Sequence, residues 1–235
     1  MTSFNPFYRN CSKGLFLVNH LIKIFLLILS AAISAFAQSD NSGTTLVKTE
    51  AGVLWVENKS DAHFMLEIAG NEIRPLKEYP FLSVDGRPMQ VHLVTIEEFY
   101  KTTGNTRVND LQILQAHRDW ESDHHGKLLN SKLDVKSEPI SSGQSREALL
   151  WSYSMPASAG KEVKEQWFLT TLIGSHLLLL NTTLKIDEPT NAARDLLVKT
   201  LSTLQISAKP IDVKALQESI RKTGKASSSN DSDKQ

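Results

Sequence analysis

The chain reads as an α+β protein: a largely antiparallel β-sheet with an amphipathic C-terminal helix and a second helix packed on it. Three observations predict this. Two long runs rich in Leu, Thr, Trp and Phe flank Gly174-Ser175, and Gly followed by Ser suits a two-residue type II′ hairpin turn. After Pro189 the apolar period becomes helical, with Ala192, Ala193, Leu196, Leu197, Thr200, Leu201 and Leu204 on one stripe. The order along the chain is strands, helix, strands, helix, which argues for helices laid on an antiparallel sheet rather than alternating β-α-β units.

Taken from the N-terminus, Leu46 to Val56, Ala62 to Ala69, Pro80 to Val84 and Met89 to Ile96 are rich enough in β-branched and aromatic residues to read as strands. Asp85-Gly86-Arg87-Pro88 supplies a turn between the last two. Val108 to about Ser122 carries a weaker helical pattern with Ile113, Ala116 and Trp120 on one side. Leu149 to Met155 reads as a further strand. The hairpin arms, Val163 to Ile173 and His176 to Ile186, include the continuous apolar run Leu177 to Leu180, which predicts cover on both faces and a central place in the sheet. Asp187 or Thr190 can cap the helix that follows, and Asp212 to Arg221 can add a short peripheral helix.

The expected organisation is a signal peptide over 1–37, a flexible segment over 38–45, one domain over 46–207, a peripheral helix within 208–223 and a tail over 224–235. The tail, GKASSSNDSDKQ, has no apolar residue larger than alanine and cannot offset the entropy of ordering.

The layout resembles the PsbP-like and DcrB-like superfamily of α+β domains, many of them exported. The resemblance covers Phe81 to Ser207 and lies in element order: a hairpin, a helix, the strand LLWSYSM, the hairpin EQWFLTTLIGSHLLLLNTT and the closing helix NAARDLLVKTLSTLQIS. Where that family commonly carries Pro followed shortly by Gly-Trp, this chain has Tyr79-Pro80-Phe81. The resemblance implies an accessory or binding module and carries over no functional residue.

Address is expected from Ile24 to Ala37, a 14-residue apolar run preceded by Arg9, Lys13 and Lys23 and by no acidic residue. A bilayer core needs about 20 apolar residues, whereas a signal-peptide h-region needs fewer. Ala35-Phe36-Ala37 has the small-x-small pattern of a cleavage site, which places the mature N-terminus at Gln38 and the protein in the periplasm or outside the cell. The alternative is an uncleaved anchor over residues 14–37, the one route by which the chain would meet a membrane. The single cysteine, Cys11, precedes the apolar run, so the mature chain is left without thiol chemistry or disulfides.

Composition excludes other classes. The full chain balances 26 basic against 26 acidic residues, and three of the basic ones leave with the signal peptide, so no nucleic-acid partner is expected. G-x-S-x-G, G-x-G-x-x-G and G-x-x-x-x-G-K are absent, and Ser141 to Ser145 reads as a loop. Four tryptophans could line a ligand pocket, but Trp151 and Trp167 sit in strands beside Leu and Phe and read as core. The partner is therefore an unidentified protein or small molecule, and no catalytic residue and no organic cofactor is assigned.

The densest polar cluster is His117-Arg118-Asp119-Trp120-Glu121-Ser122-Asp123-His124-His125. On a continuous helix His117, Glu121 and His124 share one stripe. Two imidazoles and a carboxylate could hold zinc with a position left for water, as a metal-binding protein or small metal-dependent enzyme would require. The opposing expectation is a frayed helix end stopped by Gly126, with its histidines in solvent.

Overall fold

The computed structural model describes residues 43–59, 61–77, 80–100, 109–141, 146–159 and 162–229. The expected signal peptide, the residues up to Ser42, Ser142 to Ser145 and the last residues of the expected tail lie outside them. Within them the fold is α+β. Eleven strands form two antiparallel sheets.

The small sheet contains β1 (Thr44–Lys48), β2 (Gly52–Lys59), β3 (Ala62–Ala69) and β11 (Gln205–Ser207), in the order β1-β2-β3-β11. The large sheet contains β4 (Ile73–Pro75), β5 (Phe81–Val84), β6 (Arg87–Thr95), β7 (Val135–Ser141), β8 (Glu147–Ser154), β9 (Val163–Ile173) and β10 (His176–Lys185). Its order is β4-β5-β6-β10-β9-β8-β7, so the long hairpin is central, as its two-sided apolar run requires. Gly174 sits at φ +59, the sign a type II′ turn needs at its first central residue. In the β5–β6 turn Asp85 (φ 49) and Gly86 (φ 77) are both left-handed, the requirement of a two-residue type I′ hairpin, so Arg87 and Pro88 belong to the strand.

Two departures from the expected strands have plain causes. The run expected as one strand over Leu46 to Val56 is a hairpin, β1–β2, with Leu46 opposite Trp55 and Val47 opposite Leu54. Gly52 closes it at φ +157, where an added Cβ would lie 2.2 Å from the Ile68 carbonyl oxygen. Gly52→Ala is therefore expected to cost about 2–3 kcal/mol through backbone strain, measurable as a lowered urea midpoint. β7 was not expected because its residues Lys136, Ser137, Glu138 and Pro139 are exposed and show no apolar alternation. It is an edge strand, held by pairing with β8, and Pro139 is tolerated there because an edge residue need not donate outward.

Three helices complete the described fold: α1 (Asp110–Leu128), α2 (Ala192–Ser202) and α3 (Val213–Ser229). One core lies between the sheets and under α2. Trp55, Phe64 and Leu66 of the small sheet meet Met89, Leu150, Leu169 and Leu178 of the large one, and Leu197 and Leu201 close the end. The second core lies on the opposite face of the large sheet beneath α1, from Leu149, Trp151, Phe168, Leu177 and Leu179. Alternation along each strand feeds both layers, with Leu149 and Trp151 on one face and Ala148 and Leu150 on the other.

The helices correct three expectations. α2 is capped at Asn191, which makes no side-chain capping bond, rather than at Asp187 or Thr190. α3 continues to Ser229, into the segment expected as tail, because Lys and Ala can prolong a helix that the Val213, Leu216 and Ile220 stripe has already seeded. α1 buries Leu114, His117, Glu121 and His125 rather than Ile113, Ala116 and Trp120, and Trp120 is 37% exposed.

Candidate functional site

The site is the inward face of α1. Asn109 starts the helix with a reciprocal capping box: its side chain accepts from the Gln112 amide, and the Gln112 side chain accepts from the Asn109 amide. Leu111 N–H donates to Glu147 of β8, tying the first turn to the sheet. With the start fixed, a helical repeat puts Leu114, His117, Glu121 and His125 on one stripe, at spacings of three and four. Gly126 does not stop the helix, which runs on to Leu128; the returning chain packs close to this glycine, where a Cβ would lie 3.0 Å from the Ser131 carbonyl oxygen. His117 and His125, expected in solvent, are thus carried into the interior, while His124 stays half-buried beside the exposed Trp120.

Their chemistry is paired. Glu121 Oε1 lies 3.2 Å from His125 Nε2, and His125 Nδ1 lies 2.8 Å from the Tyr153 hydroxyl of β8. All three residues are buried. Burial pushes the Glu121 carboxyl up, but the His125 hydrogen bond and the charges of His125, His117 and His124 outweigh it and hold the group below the usual carboxylate range. Burial, with a smaller contribution from Glu121, pushes the Tyr153 phenol well above its ordinary value. Tyr153 therefore stays a neutral hydroxyl that can donate to His125. This Glu–His–Tyr chain fixes the helix angle against β8.

His117 is different. It is fully buried, and neither ring nitrogen has a hydrogen-bond partner among the described residues. Its ring meets Phe99 edge-on at 4.9 Å between centroids. Burial first, then the charge on His125, lowers its pKa to about 4 against the opposing pull of Glu121. On β6, across from Leu179, half-buried His92 is likewise lowered to about 4, by burial and then by Lys59. Both imidazoles are neutral at pH 7.

The structure separates the residues expected as metal ligands. His117 and Glu121 share the inward stripe, but His124 stacks on Trp120, with rings 6.3 Å apart and 11° from parallel. His125, one residue further, is the one that meets Glu121, because residues four apart align on a helix more closely than residues three apart at this point in the repeat. Among the described residues no three His, Cys, Asp or Glu side chains are gathered to hold a metal ion. His125 and Tyr153 were missed by sequence reasoning. Extending the Leu114, His117, Glu121 stripe by one more step of four would have found His125; nothing in the sequence pairs it with Tyr153.

Two concave regions lie elsewhere. A groove of about 480 Å³ runs past the end of α1, lined by Ser122, Asp123, Lys127, Asn130, Lys132 and Leu133, where Lys127 and Asp123 form an ion pair. A smaller, apolar recess of about 250 Å³ lies between the sheet edges at Leu46, Trp55, Pro75, Leu76, Phe81 and Leu82. The Trp55 indole is oriented there by donating 3.3 Å to the buried Glu57 carboxylate, which also accepts from Thr44. Trp151, by contrast, is core: it stacks on Phe168 with centroids 3.8 Å apart. Trp167 is partly buried and donates to Glu165. Compared with protein-family models and with curated proteins, the chain gives no match, so its role rests on these residues.

Proposed function

We propose that the protein is exported and serves, without catalysis, as a binding or accessory module of the cell envelope. The observation that carries this reading is how the polar cluster is used. Glu121, His125 and Tyr153 satisfy one another beneath α1, so the groups best suited to acid–base chemistry hold a helix in place instead of meeting a substrate. The recess at Trp55 and Phe81 supports binding, since oriented aromatic walls and few polar groups suit an apolar side chain or small ligand. The resemblance in element order to exported accessory domains points the same way. Export itself rests on Ile24 to Ala37 and the Ala-Phe-Ala pattern.

The test is the intact mass of protein recovered from fractionated cells of its native host. A chain beginning at Gln38 in the soluble envelope fraction is expected. A full-length chain in the membrane fraction would replace export with anchoring by residues 14–37. Turnover of any member of a broad substrate panel, lost on substitution of a surface residue, would overturn the non-catalytic reading.

A further inference from the structure

We propose that α1 is an acid-released cover, which leaves the large sheet when His117 is protonated and exposes the apolar strip of Leu149, Trp151, Phe168 and Leu177. The geometry sets α1 apart from the other packed helix. α2 meets the sheets through Ala193, Leu197, Leu201 and Thr200, none of which titrates. α1 meets them through Leu114, His117, Glu121 and His125, so three of its four inward side chains are ionisable.

A proton on His117 would find no acceptor. Both ring nitrogens are sealed without partners, and the neighbouring carboxylate, Glu121, is already engaged by His125. The groups facing this space are Glu121, His124 and His125 from α1, His92 from β6 and Tyr153 from β8, with Lys59 of β2 acting on His92. Phe168 from β9 and Leu179 from β10 add no charge. Acid therefore adds charge at His117 and His92 beside one carboxylate that is already engaged, under a helix whose sheet contacts are confined mainly to β8 and β9. The layer between the sheets has no buried histidine under α2, and its buried carboxylate, Glu57, accepts hydrogen bonds from Trp55 and Thr44, so this layer stays closed. Of the two helices packed on the sheets, α1 has the fewer sheet contacts to lose by leaving.

The direction follows from linkage. His117 is held at about 4 in the folded chain, below the ordinary 6.5 of an unfolded one, so the closed state binds fewer protons between those values. Closure is complete above pH 6.5 and weakens as pH falls towards 4. At pH 4.5 opening should be favoured on the order of a hundredfold over pH 7.

The experiment is hydrogen exchange on the full mature chain from pH 7 to 3.5, corrected for intrinsic rates, with binding of a hydrophobic dye followed in parallel. Amides of α1 should lose protection, and dye should bind reversibly, at a pH where β10 and α2 remain protected. His117→Gln, which keeps a polar side chain but cannot be charged, should remove most of that change. His92→Gln should move it in the same direction by less, and supplies the second variant should His117→Gln fail to fold. His63→Gln, on the small sheet, should leave it unchanged. Loss of protection in α1, β10 and α2 together would overturn the proposal, as would a wild-type profile in whichever of the His117 and His92 variants folds.

Discussion

Trp151→Ala should destabilise the protein by about 3–5 kcal/mol, the range for removing a large aromatic side chain from a packed core. Trp151 is 1% exposed and lies flat on Phe168, with Tyr153 on the same face. The lost area, the lost stack and the cavity between α1 and the sheet all act in one direction. Urea denaturation followed by far-UV circular dichroism measures it. Trp151→Phe should recover a large part of the loss, since a smaller ring can still stack on Phe168. A change below about 1 kcal/mol for the alanine variant would mean that α1 contributes little to the folded state.

Glu121→Ala is expected to cost about 3 kcal/mol, because it leaves His125 buried without its carboxylate partner. It also removes the one negative charge that favours a proton on His117. A double-mutant cycle with Tyr153→Phe should show coupling, since both residues act on the same imidazole. The pH dependence gives a second signature. Glu121 is held below the ordinary carboxylate value of 4.5, so its contribution is present above that pH and is lost as pH falls through the lowered value. Glu121→Ala should therefore flatten the acid limb of the stability curve below pH 4.5 and leave the decline due to His117 above it. Additive losses and an unchanged acid limb would argue against the chain of bonds through His125.

The strands and helices that were legible in the sequence are those whose own periodicity reports burial. The β9–β10 hairpin carries its turn residues and its two-sided apolar run in one continuous stretch, and α2 has a clean leucine stripe. β4, β7 and β11 were not legible. They are short or exposed edge strands, and their conformation is imposed by a paired neighbour such as Tyr153 opposite Val135. α1 was legible as a helix but not in its orientation, because a stripe of His, Glu and His scores as polar when read residue by residue.

What the sequence determined by itself is therefore the class of fold, the central hairpin, the amphipathic α2 and the presence of a histidine-rich helix, since these follow from local periodicity and turn chemistry. Only the tertiary structure decided which face of that helix is inside. Tyr153 lies 28 residues from His125, yet its hydroxyl meets the imidazole, and Glu121 holds the other ring nitrogen. A buried polar stripe is stable when distant partners satisfy it, and the identity of those partners is a property of packing rather than of spacing along the chain. His117, placed on the same stripe without a partner, shows the consequence where packing supplies none.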